Sequence, residues 1–401
     1  MVETFKPETS AQVVEAIAWA AGEENPVEIL GTGTKRGFGR PMGDGSRIVA
    51  HAVDLSGLSG ITLYEPEELV LSAWASTPLS EIEAAVQAEG QMLAFEPPRF
   101  ARLYGGEGGT LGGMIACNLA GPRRVKAGAA RDHILGIEAV TGRGELVKSG
   151  GRVVKNVTGY DLAKLLTGSF GTLAALTHIT IKVLPAAETE ETILLSGVED
   201  AAAVEIMSSA LNSSNEVSGA AHLPVGLATD PGPVTAFRVE GFVPSVAARG
   251  DALRELLGAR GSVSTLDREA SQEFWASVRD VEGVGDADGN APLWRLSVTP
   301  DKSADIVAAI SATVPGTAMY DWGGGLIWFR ADGDAGAAVV RGALAANGGG
   351  HATLVRAPEE LRRTVDVFQP QPGPLAALSR RVKESFDPRH ILNPGRMYGG
   401  V

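Results

Sequence analysis

Between Leu103 and Pro185 the chain gathers a series of glycine clusters, and no other stretch restricts its possible folds so sharply. Gly105-Gly106-Glu107-Gly108-Gly109-Thr110-Leu111-Gly112-Gly113 comes first, followed by Asn118-Leu119-Ala120-Gly121-Pro122-Arg123-Arg124 and Arg131-Asp132-His133-Ile134-Leu135-Gly136. Lys155-Asn156-Val157-Thr158-Gly159-Tyr160-Asp161-Leu162 and Gly168-Ser169-Phe170-Gly171-Thr172-Leu173 close the run. Without Cβ atoms, such segments bring the backbone close to a ligand and turn N–H groups onto phosphate oxygens. Strand-like apolar runs separate the clusters, which excludes a flexible linker. A folded scaffold that repeatedly offers bare backbone suits a large, phosphate-bearing cofactor.

At 401 residues the chain exceeds one comfortable core and implies two or three domains. Hydrophobic residues at 44% and charged residues at 21% exclude a disordered chain. The formal charge of −13, with no dense block of lysine and arginine, argues against a nucleic-acid partner. Cys117 is the single cysteine, so neither an internal disulfide nor a cysteine-ligated iron–sulfur cluster can form within this chain. Met1-Val2-Glu3-Thr4-Phe5-Lys6-Pro7 lacks a charged-then-apolar signal pattern, and no apolar run is long enough to span a membrane. A cytoplasmic protein is expected.

Apolar spacing predicts a helix over 11–21 capped by Thr9 or Ser10, and strands over 27–30, 49–55 and 69–75. A helix over 80–89 ends at Gly90; strands over 134–141 and 145–148, a helix over 161–167 and a strand over 175–184 follow, stopped by Pro185. From about 188 to 356 the glycine clusters disappear. Strands over 192–197, 236–242, 293–298, 326–329 and 351–355 alternate there with helices over 201–211, 246–257, 272–281, 304–311 and 335–346. This pattern predicts an antiparallel sheet with helices on one face, built as two similar halves. Gln369-Pro370-Gln371-Pro372-Gly373-Pro374 is a break, after which the tail carries a short helix and Leu392-Asn393-Pro394-Gly395.

From Gly31 the spacing is G-x-G-x-x-x-G, with Arg36 where a dinucleotide-binding loop needs its third glycine. P-loop, kinase and G-x-S-x-G signatures are absent. What remains is two glycine-rich loops able to grip opposite sides of one pyrophosphate.

Together, Phe95-Glu96-Pro97-Pro98, Gly109–Gly113, Gly121–Arg124, Arg131-Asp132, Val154–Leu162, Gly168–Leu173 and Leu392–Gly395 resemble the FAD-binding E subunits of bacterial glycolate oxidases, within the vanillyl-alcohol-oxidase (PCMH-type) flavoprotein superfamily. Trp294-Arg295, Asp321-Trp322-Gly323-Gly324-Gly325 and His351-Ala352-Thr353-Leu354 extend the resemblance beyond residue 188. It implies an α+β fold: a two-subdomain FAD-binding domain over 1–187, an antiparallel-sheet cap over 188–356, and a segment over 357–401 that returns to the FAD domain. It also implies that Gly31, Thr32, Gly33, Thr34 and Lys35 wrap the FAD pyrophosphate. Pro98, Gly109, Thr110, Leu111, Gly112, Gly113, Asn118 and Gly121 would wall the cofactor, and Arg131, Asp132 and Ile134 join it. Gly168, Gly171, Thr172, Leu173 and Ile179 would complete the site, with Asn393 returning to the flavin edge. Relatives that hold FAD covalently often use a histidine in the first loop. Here that position reads Thr34-Lys35, so dissociable FAD is expected.

Each feature also has a plainer reading. Cys117 suits a small buried side chain. Isolated histidines such as His133, His178 and His222 suit structural roles, and Trp294, Trp322 and Trp328 suit either cap core or a flavin cleft. Arg123, Arg124 and Arg131 fit surface ion pairs or charge compensation of the pyrophosphate. Related D-2-hydroxyacid dehydrogenases hold a metal beside the flavin with clustered histidines. Gly285-Asp286-Ala287-Asp288-Gly289-Asn290 superficially resembles one of their motifs, but no histidine lies near it, and His51, His133, His178, His222, His351 and His390 do not pair at ligand spacing, so no metal site is expected. Arg295, Arg356 and Trp322 are the candidates for holding a substrate carboxylate.

The resemblance implies a subunit oxidising glycolate or a related D-2-hydroxy acid, alongside a second FAD-binding catalytic subunit (D-type) and an iron–sulfur subunit (F-type), docked, if at all, peripherally at the inner face of the cell membrane. Two alternatives stay open: an FAD-loaded electron-transfer partner with no oxidation of its own, and a stand-alone FAD-linked dehydrogenase.

Overall fold

The computed structural model describes residues 3–43, 49–106, 108–153, 159–224, 232–285 and 290–400. Glu107, the run Val154-Lys155-Asn156-Val157-Thr158 and the acidic stretch Asp286-Ala287-Asp288-Gly289 lie outside the described residues.

Three parallel strands come first, β1 (Glu3–Phe5), β2 (Val27–Leu30) and β3 (His51–Asp54), in the order β1-β3-β2. The helix Ser10–Gly22 lies between the first two in sequence, and Thr9 caps it by accepting from the Gln12 N–H at 3.2 Å. Its Val13, Ile17 and Ala20 recur at helical spacing. They pack with Val27, Val53, Val140, Ala175, Ile391 and Leu392, so one small core ties this unit to the next sheet and to the tail.

β4 (Ile61–Glu65), β5 (Val70–Trp74), β6 (Gln91–Met92), β7 (Ile134–Thr141), β8 (Leu146–Gly150), β9 (Ala174–Lys182) and β10 (Leu184–Pro185) follow. Five of them form an antiparallel sheet of order β4-β5-β9-β7-β8. Pro185 does not stop the pairing as expected: β10 pairs with β6 in a two-stranded edge ladder, where a missing N–H is tolerated. The helices Leu79–Ala88 and Leu111–Cys117 bury Leu79, Ile82, Val86, Leu111, Met114 and Ile115 in the same large core as β5, β7 and β9.

The remaining strands are β11 (Thr189–Ser196), β12 (Gly219–Leu223), β13 (Val234–Gly241), β14 (Ser262–Leu266), β15 (Leu293–Ser297), β16 (Gly316–Asp321), β17 (Leu326–Ala331) and β18 (His351–Arg356). They form one antiparallel sheet of order β14-β11-β13-β12-β16-β17-β15-β18. The order is a palindrome of two four-stranded halves, joined at its centre by the pair His222↔Tyr320. β12, β14 and β16 were not expected. All of β12 (Gly-Ala-Ala-His-Leu) is buried, so it shows no alternation, and it has no β-branched residue.

Helices do not keep to one face of this sheet. Arg254 of the helix Val243–Gly258 reaches Glu191 at 3.1 Å. On the helix Arg268–Arg279, Ser271 and Trp275 bond to Glu190 and Thr192. Neighbouring residues of a strand point to opposite faces, so this second helix lies on the other side. Asp280, at its end, accepts from the Arg99 N–H at 2.7 Å and links the cap to the first half of the chain.

Candidate functional site

A solvent-open cleft lies where β2, the helix Leu111–Cys117, the Phe170-Gly171 turn and the tail converge. Among the described residues its lining includes the expected Gly31, Thr32, Gly33, Thr34, Lys35, Thr110, Gly112, Gly113, Gly171 and Asn393. The two glycine loops meet directly: Lys35 Nζ donates to Gly108 O at 2.9 Å. Gly109 has φ +143, and a Cβ there would lie 2.5 Å from Lys35 Nζ. Gly112 brings its helix against β5, since its N–H donates to Ala75 O at 2.7 Å and a Cβ would stand 2.8 Å from that of Ala75.

The cleft keeps its donors available. Among the described residues nothing accepts from the N–H groups of Thr32, Gly33, Thr34 or Lys35, whereas Arg36 N and Phe38 N close turns onto Gly33 O and Lys35 O. Two cations line the same space without an ion pair among the described residues. Lys35 touches only backbone carbonyl, and Arg396 donates to Lys35 O at 2.9 Å and Arg40 O at 3.4 Å. Burial lowers the pKa of both groups. A half-buried cation with no counter-ion favours an anionic guest, and four consecutive amides suit phosphate oxygens. These residues therefore fit the pyrophosphate of FAD. Arg36, by contrast, is already bound to Glu28 at 2.6 Å. Cys117 lines the cleft too, and burial pushes its thiol up to about 11, so it stays protonated.

The tail holds the cleft together. Asn393 accepts from the Ile29 N–H at 2.8 Å and donates to Phe170 O at 2.8 Å, so both ends of its amide brace the wall. Lys383, fully buried, binds Asp387 at 2.8 Å, Thr172 O at 2.6 Å and Leu392 O at 3.0 Å. Asp387 also accepts from Ile391 N and Leu392 N, fixing the turn that delivers Asn393 and Arg396. Sequence reasoning passed over Arg396; its signal was an arginine directly after the Asn-Pro-Gly turn.

The other expected cofactor residues do not line this cleft. Leu111, Ile134, Leu173 and Ile179 are core. Pro98 is buried, Gly109 underlies Lys35, and the Gly168 N–H donates to Ile115 O at 3.1 Å. Thr172 closes its own turn onto Ser169 O at 2.7 Å. Asn118 ends the helix Leu111–Cys117 and accepts from Arg131 N at 3.2 Å; Asp132 accepts from Ala129 N at 2.9 Å, and Arg131 is exposed. Gly121 O accepts from the Trp322 indole at 3.0 Å.

Arg123 belongs neither to the surface nor to the cleft. It is buried, binding Glu240 at 2.8 Å and Glu96 at 3.0 Å, and Arg238 binds Glu96 at 2.8 Å. Burial by itself would raise Glu96, but Arg238 and Arg123 outweigh it and hold the carboxyl down to about 2. Arg356 is buried against Ala291 O, Trp294 donates to Ala335 O at 2.8 Å, and Trp328 packs on Phe100. His133, His178 and His222 contact Ala127 O, Thr62 and Thr235 respectively, all structural partners. Arg295 and Trp322 meet at the joint between cap and first half.

Comparison with known proteins agrees with this geometry. Residues 3–150 match the family described as FAD binding domain. The p-cresol methylhydroxylase structure with substrate bound superposes at TM-score 0.73 over 98% of this chain and 88% of that one, at 14% identity. An alkyldihydroxyacetonephosphate synthase superposes at TM-score 0.69 over 98% and 76%, also at 14% identity. The fold is that of the PCMH-type FAD-binding proteins. A D-lactate dehydrogenase of Archaeoglobus fulgidus is 34% identical over 181 residues, 45% of this chain and 38% of that one. Glycolate oxidase subunit GlcE of Escherichia coli is 35% identical over 392 residues, 97% of each chain. The chain belongs to the family of glycolate oxidase E subunits, FAD-linked oxidoreductases.

Proposed function

We propose that this chain is the FAD-binding subunit of a glycolate oxidase complex that converts glycolate, or a related D-2-hydroxy acid, to the 2-oxo acid. The cofactor supplies the chemistry of accepting the two electrons lost when the hydroxyl carbon becomes a carbonyl. Partners on this reading are a D-type FAD subunit and an iron–sulfur subunit that takes the electrons onward. A glycolate oxidase subunit GlcD of Bacillus subtilis, 42% identical over 85 residues, supports a multi-subunit setting. Residues 1–187 serve as the FAD domain, 188–356 as the cap and 357–401 as the returning segment. The carrying observation is the cleft with four available N–H groups, Lys35 and Arg396. On this reading the FAD is dissociable, since Thr34-Lys35 stands in the first loop where covalent relatives often carry a histidine. No helix among the described residues is long and apolar enough to cross a membrane, and the complex itself provides any peripheral docking.

One observation favours a second reading, the FAD-loaded electron-transfer partner. Nothing described between Leu176 and Asn393 lines the cleft, so no described side chain of the cap contributes to it. An absorption spectrum before and after anaerobic glycolate separates the two. Flavin bands that bleach in the isolated chain support oxidation on this subunit. Bands that persist until the D-type subunit is added leave the chain as a partner.

A further inference from the structure

Arg124, Trp322 and Arg295 form a cluster that the cofactor cleft does not use. Trp322 has φ +53, a left-handed backbone that bulky residues rarely adopt. Its peptide N–H is tied to Asp321 at 2.7 Å and its indole N–H to Gly121 O at 3.0 Å, so the ring is fixed from both ends. Two guanidiniums lie against it, Arg124 at 4.3 Å and Arg295 at 5.1 Å from the ring centroid. Each carries five N–H donors, yet among the described residues neither makes a hydrogen bond or an ion pair.

The neighbours behave otherwise, since Arg123 and Arg238 are bound to Glu96 and Glu240. Burial, and then the like charge of Arg124, lower Arg295 to about 10. The carboxylates whose charge reaches the pair are Asp132 and Asp321. Both are committed elsewhere, Asp132 to the Ala129 N–H and Asp321 to the Trp322 N–H, and burial pushes Asp321 up to about 7. Two like charges over one indole, with no counter-ion among the described residues, are relieved by a bound anion.

We infer that Arg124 and Arg295, braced by Trp322, bind the carboxylate of a small 2-hydroxy or 2-oxo acid. The four consecutive amides that suit phosphate belong to the other cleft. Here the donors are planar guanidinium forks, which match a flat carboxylate in bidentate fashion. The choice of acid rests on the 2-hydroxy-acid reading above.

Oxalate, which has no C–H to lose, is the probe. Oxalate titrated into the purified chain, with tryptophan fluorescence and heat followed together, gives saturable binding. Arg295→Met and Arg124→Met each weaken it about tenfold or more, and Arg295→Lys weakens it less. FAD content, read from the visible bands of the same samples, stays unchanged in all of them. Trp322→Phe keeps the heat signal and loses the fluorescence response. Methionine variants that bind oxalate like the wild type, or a wild type that binds inorganic phosphate and not oxalate, overturn the assignment. A preparation without FAD defeats the cofactor reading but leaves the oxalate titration intact, so the two failures are told apart.

Discussion

The cofactor cleft and the joint between cap and first half are both rich in arginine, and they use it in opposite ways. At the joint, Glu96 and Glu240 absorb Arg123 and Arg238 through hydrogen bonds of 2.8 to 3.1 Å. In the cleft, Lys35 and Arg396 face only backbone carbonyls. Residue type therefore does not separate scaffold from site. What separates them is whether the chain supplies the counter-charge: among the described residues Arg36 pairs with Glu28 while Arg396 pairs with no carboxylate, and Arg123 pairs with two while Arg124 pairs with none. A folded protein leaves such groups unmatched chiefly where a ligand completes them.

The largest effect is expected where the two regions are tied together. Lys383→Met strands Asp387, which is fully buried, and costs about 3–5 kcal/mol in denaturant unfolding. FAD is lost as well, because the turn carrying Asn393 and Arg396 loosens. Retained FAD at wild-type affinity would show that the tail does not organise the cleft. Next comes Glu96→Gln, which leaves two buried guanidiniums with Glu240 alone and costs about 3 kcal/mol. Since Glu96 is held at about 2 against an ordinary 4.5, its stabilisation is complete above the ordinary value. It fades as pH falls toward about 2, so the gap between wild type and variant narrows across that window in acid unfolding curves.

Gly112→Ala pushes a methyl into Ala75 and its carbonyl at 2.8 and 2.9 Å, an overpacking worth about 1–3 kcal/mol, read from thermal unfolding. It weakens FAD retention by tilting the helix Leu111–Cys117 away from β5. Arg36→Ala is the smallest: its ion pair with Glu28 is exposed on the arginine side, so stability changes by about 0–1 kcal/mol and FAD affinity holds. A large loss of FAD in that variant would erase the distinction between matched and unmatched cations.

Much of the cleft was legible in sequence because glycine loops announce themselves through composition. The sequence offered two glycine-rich loops able to grip one pyrophosphate, and Lys35 of the first meets Gly108 of the second. Side-chain commitments were not legible. Asn118, Asp132 and Thr172 bonded to backbone, as short polar side chains do wherever the fold places a donor or acceptor, while Arg123 found the carboxylates of Glu96 and Glu240, which are distant in sequence. β12 escaped notice for want of alternation, and the helix Arg268–Arg279 crossed to the other face because Ser271 and Trp275 satisfy Glu190 and Thr192 there. Trp322 was read as core or cleft; its left-handed backbone, invisible in sequence, aims it at Gly121.

The direct test of the account is an FAD titration of the chain against its Lys35→Met/Arg396→Met double variant, with thermal unfolding of both in parallel. The account predicts one dissociable FAD per wild-type chain and an affinity about a hundredfold weaker in the variant, whose unfolding temperature without cofactor barely moves. A variant that binds FAD as tightly as the wild type would contradict it.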